Sequence, residues 1–194
     1  RRVGARSEIM RARLLSSVVK PAVGCFAAAR LAQSRHGMPG LVTARAVAAG
    51  ELLFRWTGAL IATNTGDRCL QVGERSWLTP GPDEEEEPAW VYLNHSFEPS
   101  VRVYHAPLSS RDPAPPVLTA TATAALPAEA ELTLDYTLHE YIMAGHGFVC
   151  AESGRTVRGF HYLDEAAQEA ALPRAMHHVR TLHGQYLFGQ SSRC

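Results

Sequence analysis

From about residue 36 onward the hydrophobic positions fall in short runs, β-branched or aromatic, cut by glycine, proline and small polar residues. "LVTARAVAAG", "ELLFRWTGALIAT", "RCLQVGERSWLT", "WVYLNH", "VRVYHA", "PVLTATATAAL" and "AELTLDYTL" each read as strand bounded by turn. Beyond Leu163 the period lengthens to that of a helix. Asp164 is placed to cap "EAAQEAAL". Pro173 suits the first turn of a second helix, with Leu172, Met176 and Val179 on one face and Gly184 at its end. The pattern therefore predicts a mostly β fold with C-terminal helices packed on the sheet, and it contains no internal repeat.

Composition narrows the function classes. The chain has 194 residues, 46% hydrophobic and 20% charged, enough for one domain with a sizeable core. Basic and acidic residues balance at 19 each, so no global field recruits nucleic acid or anionic lipid, and direct nucleic-acid binding is not expected. Lys20 is the only lysine among the basic residues. "GPDEEEEP", residues 81–88, reads as a solvated loop rather than a site that steers basic substrates, and "SSRDPAPP", residues 109–116, as a turn between strands. "LLSSVVKPAVGCFAAARLA" is interrupted by Lys20, Pro21 and Arg30, so no membrane span is predicted. Residues 1–33 form a basic arm, rich in arginine and serine with Glu8 as the one acid of its opening twenty residues. It is either an organellar transit segment or its remnant, which implies a mitochondrion or plastid, or an arm that docks on its own domain or a partner, which leaves cytoplasm or nucleus.

The four cysteines, Cys25, Cys69, Cys150 and Cys194, are scattered without a short C-x-x-C pair, so neither a disulfide framework nor a zinc knuckle is indicated. His177, His178 and His183 lie in the second helical stretch, but their spacing does not put three ligands on one face. The glycine turn Gly37–Gly40 lets backbone approach a ligand closely, and is equally the stuff of a hairpin. Asn94 and His95 supply amide and imidazole groups for directional hydrogen bonds, either to a ligand or to buried backbone.

Three stretches, "SRHGMPGLVTARAVAAGE", "LNHSFEPSVRV" and "AELTLDYTLHEY", resemble in order and spacing the motifs of SET-domain protein-lysine methyltransferases. The resemblance covers about residues 34–163. It implies a β-clip-like fold of several small sheets with a threaded chain crossing, and S-adenosylmethionine as cofactor. The cofactor would be held by main chain near Met38 and Gly40, by Asn94 and His95, and by Phe148 over the adenine. It implies a SET domain at 34–136, a degenerate post-SET segment at 137–163, and C-terminal helices and tail at 164–194. Tyr136 becomes the candidate catalytic residue, since methyl transfer from a sulfonium to an amine needs alignment and oxygen atoms around the methyl rather than a metal. Tyr141 and Trp56 either line the substrate channel or pack in the core.

The sequence departs from the family where a zinc-bound tail would be. The four ligand positions read Phe97, Cys150, Glu152 and Val157, so no zinc is expected, and apolar packing centred on Phe97 and Val157 is expected in its place. Pro39 is inserted in the glycine turn, Ser100 replaces an asparagine, and so does Thr137. Two functions follow from the resemblance: a lysine methyltransferase acting on a protein, or a catalytically lapsed SET-fold subunit docked in a larger complex, organellar if the arm is a transit segment.

Overall fold

Short apolar runs, repeatedly broken by turn residues, produce twelve strands of two to five residues among the described residues. The computed structural model describes residues 28–66, 68–81, 89–108 and 114–191. The first 27 residues of the arm, most of the acidic run and most of the 109–116 turn lie outside that set. The strands are β1 (Ala29–Gln33), β2 (Pro39–Thr43), β3 (Leu52–Trp56), β4 (Ala59–Ile61), β5 (Leu70–Gly73), β6 (Ser76–Thr79), β7 (Asn94–His95), β8 (Val101–Tyr104), β9 (Leu118–Ala122), β10 (Glu131–Leu134), β11 (Phe148–Val149) and β12 (Thr156–Val157). Two helices follow, α1 (Glu165–Ala171) and α2 (His177–Ser191). The fold is mostly β with C-terminal helices, as the periodicity predicts.

The strands form four small sheets, ordered β1-β2-β10-β7, β3-β9-β8, β4-β6-β5 and β11-β12. Strand β8 shows how each sheet meets the core: Val101 and Val103 are buried while Arg102 and Tyr104 are not, because successive side chains point to opposite faces. Leu41, Leu53, Val72, Leu78, Leu118 and Leu132 are likewise buried, and they join the first three sheets around one apolar centre. A second cluster, Leu138, Tyr141, Phe160, Ala171, Ala175, Met176 and Val179, fastens the helices to the segment that follows β10.

Several local expectations are corrected. Residues 29–33, assigned to the basic arm, are the edge strand β1, paired antiparallel with β2 from Ala29–Thr43 to Gln33–Pro39. "ELLFRWTGALIAT" is two strands, because Gly58 lies against the carbonyl of Thr79, where no side chain would fit. "WVYLNH" begins as a 3-10 turn over Ala89–Tyr92 rather than a strand; the turn buries the Trp90 indole, which stacks on Trp56 at 6.0 Å. Burying that ring outweighs the local β preference. Asp164 does cap α1, accepting from Ala167 N at 2.8 Å.

Pro173 does not open the second helix. It sits in the turn that closes α1, and the Met176 N–H donates to Leu138 O, so α2 starts only at His177. Gly184 does not end α2 either. A mid-helix glycine costs about 1 kcal/mol, too little to stop a helix anchored by the buried Met176 and Val179. Among the described residues no helix is long and apolar enough to cross a membrane.

Candidate functional site

Strand β7 runs parallel to β10, pairing Asn94 with Thr133 and His95 with Leu134. The other pairings in that sheet are antiparallel. This juxtaposition brings the second and third motifs together. Ser100 staples them, accepting from Thr133 N and donating through its hydroxyl to Glu131 O, both at 2.9 Å. The departure from asparagine at this position thus retains a cross-strand polar link.

Immediately after β10, Asp135 caps a 3-10 turn over Tyr136–Leu138. Its carboxylate accepts from Thr137 N at 3.0 Å and from the Thr137 hydroxyl at 2.7 Å, while burial pushes its pKa upward. The turn directs Tyr136 back toward β7. Its N–H donates to His95 Nδ1 at 3.2 Å, and its hydroxyl donates to Leu93 O at 2.5 Å.

The His95 side chain is only 1% exposed. Burial first, then the positive charge of Arg155, lowers its pKa to about 4, with Glu152 and the Leu134 backbone opposing. The ring is therefore neutral at physiological pH. Because Nδ1 accepts from Tyr136, the proton resides on Nε2, and that donor has no hydrogen-bond partner among the described residues. The rings of Phe97, Tyr136 and Phe148 approach His95 edge-on at 4.5, 5.3 and 5.7 Å.

A cavity of about 640 Å³ opens here, within the size range of small-molecule sites. Met38, Asn94, His95, Tyr136 and Phe148 all line it, so five of the six residues singled out from the sequence meet at one wall. Gly40 does not line it. A Cβ at Gly40 would stand 2.8 Å from Asn94 Nδ2, so this glycine makes room for the Asn94 side chain. That side chain in turn donates to Pro39 O at 3.2 Å and Glu131 Oε1 at 3.1 Å. Met38 is about half exposed at the rim. Its main chain is engaged by Ser34, whose N–H reaches Met38 O at 2.7 Å and whose hydroxyl accepts from Met38 N at 3.1 Å. Trp56 lines the cavity; Tyr141 does not, and packs on Phe160 in the second cluster instead.

Among the wall residues not singled out from the sequence are Trp90, which lay in a run read as strand, and Glu140, which lies just past one. Glu140 is 5% exposed. Its Oε1 accepts from Gln71 N at 2.6 Å, and Gln71 Oε1 accepts from Tyr141 N at 2.9 Å, so β5 and the post-β10 segment are tied reciprocally. Burial raises the Glu140 pKa to about 7 against the lowering influence of Gln71 N–H and the Trp77 indole, whose N–H falls short of hydrogen-bond geometry.

The four positions of the expected zinc tie behave differently from the apolar plug predicted for them. Val157 and Cys150 are buried, but Phe97 is only half-buried and Glu152 is exposed. Glu152 accepts from the Ser96 hydroxyl at 2.7 Å and pairs with Arg35 at 2.5 Å, while the Arg155 guanidinium lies 4.0 Å over the Phe97 ring. The tail is thus fastened here by charge and a cation–π contact. Apolar packing does not dominate, because the site lies at the cavity rim where water reaches it. Among the described residues no group of three or more His, Cys, Asp or Glu is placed to hold a metal ion.

No family model matches the chain, and no curated protein matches it. Among solved structures, a candidate histone methyltransferase from Plasmodium falciparum is similar at 16% identity and TM-score 0.44, over 57% of this chain and 94% of that one.

Proposed function

We propose that the chain is an S-adenosylmethionine-dependent protein-lysine N-methyltransferase of the SET type. The observation that supports this reading is the meeting of Tyr136, Asn94, His95 and Phe148 on one cavity wall, through the parallel pairing of β7 with β10. The cavity lining suits the cofactor in residue type: Met38, Asn94, His95 and Phe148 border it, and the ring of Phe148 and the side chain of Met38 are partly exposed there. Asn94, His95 and Phe148 would hold the cofactor, with Met38 at the rim; when bound, it supplies an electrophilic methyl group on a sulfonium.

The remaining work falls to the chain. The Tyr136 oxygen, oriented by Leu93 O, presents lone pairs to the reacting centre. The apolar wall of Trp56, Leu93 and Leu134 excludes water, which favours the neutral amine of an entering lysine over its ammonium form. Calorimetry with S-adenosylmethionine tests the first requirement: binding at micromolar concentration is expected, and no heat together with no thermal shift would overturn the reading. Tyr136→Phe should then abolish methyl incorporation into a protein acceptor while leaving cofactor binding and the fold in place, with a modest fall in melting temperature from the lost bond to Leu93 O.

A second reading, a lapsed SET-fold subunit that binds partner subunits, is favoured by the engaged state of the Asn94 amide and of the Met38 main chain. Retained folding with no cofactor binding selects it.

A further inference from the structure

The Asn94 side chain is held on three sides. A Cβ at Gly40 would stand 2.8 Å from Asn94 Nδ2, so the amide fills the space that this glycine leaves open. Nδ2 donates to Pro39 O at 3.2 Å and to Glu131 Oε1 at 3.1 Å. The sheet places Glu131 for this contact: Thr133 pairs with Asn94, and Glu131, two residues earlier on β10, lies on the same face as Thr133. The Glu131 side chain is 17% exposed, and its other oxygen faces Arg35 Nε at 4.0 Å.

Both partners of Nδ2 are acceptors only. A peptide carbonyl and a carboxylate offer lone pairs and no proton, so neither can meet an amide oxygen. Turning the amide over would set Asn94 Oδ1 against two oxygens and leave both without a donor, which is costly for part-buried groups. The nitrogen therefore points inward and the oxygen outward. Asn94 Oδ1 accepts from no described residue and, unlike His95 Nε2, is not enclosed; on a residue that lines the cavity, it is the atom left to face the opening.

We propose that Glu131 is a positioning residue of the cavity: it locks the Asn94 amide with its oxygen toward the ligand, so that this point of the wall takes an N–H donor and refuses an acceptor. The lock does not depend on the methyltransferase reading, but the identity of the ligand rests on it. S-adenosylmethionine carries two N–H-bearing groups, the α-ammonium of its methionine part and the 6-amino group of its adenine, and either supplies the donor. Glu131 acts through Asn94, since its Oε1 is spent on Nδ2. A glutamine at this position could still offer an oxygen to Nδ2, whereas a leucine could not.

The first measurement is solvent exchange of the Asn94 side-chain amide protons, followed by NMR on the full chain. In wild type and in Glu131→Gln they should exchange at least about tenfold more slowly than those of an exposed asparagine, and Glu131→Leu should lose that protection. Unprotected protons in wild type overturn the proposal whether or not the variants fold.

The second is calorimetry with S-adenosylhomocysteine, with its analogue lacking the α-amino group, and with its inosine counterpart, in which oxygen replaces the 6-amino group. Wild type should bind one of the two altered ligands at least about tenfold more weakly than the parent, which identifies the donor. Glu131→Leu should bring that ratio below about threefold through weaker binding of the parent. General damage to the fold would weaken all three ligands alike and leave the ratio standing. Equal binding of the three by wild type, or an unchanged ratio in a folded Glu131→Leu, overturns the proposal. Failure of all three to bind, with the amide protected, removes the methyltransferase reading and leaves the lock.

Discussion

The tail that follows Tyr136 has two fastenings of opposite character, one at the cavity rim and one among its own residues. At the cavity rim it is held by Ser96, Arg35 and Phe97 against Glu152 and Arg155, groups that water reaches except for the buried Ser96. Farther along, Phe160, with no exposed surface, lies among Leu138, Tyr141, Met176 and Val179. Burial of apolar surface contributes kilocalories per side chain, whereas exposed ion pairs contribute about 0–1 kcal/mol. The helices and their apolar cluster therefore set the stability of the tail, and the polar clamp sets where the tail meets the cavity.

The largest break in that contrast should come from Phe160→Ala, about 3–5 kcal/mol in denaturant unfolding, because the cavity it leaves is enclosed. Phe97→Ala should cost about 1–2 kcal/mol, since its ring is half-buried and contributes chiefly through Arg155. An equal loss from the two would overturn the distinction.

Gly159→Ala comes next. Gly159 has φ +104°, and a Cβ there would stand 2.8 and 2.9 Å from the carbonyl oxygens of Tyr141 and Glu140. Phe160 N and His161 N donate to those same carbonyls, so the strain falls on the hinge of the apolar fastening. A loss of about 1–3 kcal/mol is expected in the same unfolding assay.

Acid should loosen the apolar fastening through two buried histidines. His178 Nε2 donates to His139 O at 2.8 Å, and burial lowers the pKa of His139 to about 3 and of His178 to about 4. Both sit below the unfolded value of 6.5, so the unfolded chain takes up protons first. Stability is whole above about pH 6.5 and declines as pH falls toward 4. Glu140 has the opposite sign. Its raised pKa, about 7 against 4.5, erodes stability as pH rises from 4.5 to 7. Melting temperatures across pH 4–8 should therefore show loss on the acid side in Glu140→Gln as in wild type, with the loss between pH 4.5 and 7 relieved only in the variant.

The smallest effect is expected at the polar clamp. Ser96→Ala should cost about 1 kcal/mol and Arg35→Ala less, the latter vanishing in about 1 M salt as the exposed pair is screened. A large, salt-independent loss from Arg35→Ala would show that the clamp bears the tail.

Much of this arrangement was legible before any coordinates. Period-two runs such as "VRVY" became strands because one face must be buried, and Asp164 capped a helix because its carboxylate meets the free N–H groups of the first turn. "WVYLNH" misled because the gain from stacking Trp90 on Trp56 depends on a residue 34 positions away. Phe97 misled because replacement of a ligand by an apolar ring says nothing of whether water reaches it. Glu140 was invisible as a wall residue, since a glutamate is ordinarily solvated.

By itself the sequence determined most of the strands and the helical C-terminus, because each is written in spacing and side-chain type. Only the tertiary structure decided which buried polar atoms stay unpartnered among the described residues, which motif residues share a cavity, where Gly40 and Tyr141 end up, and what fastens the tail. Those outcomes depend on desolvation and on contacts between segments distant along the chain, and neither quantity is carried by a local pattern.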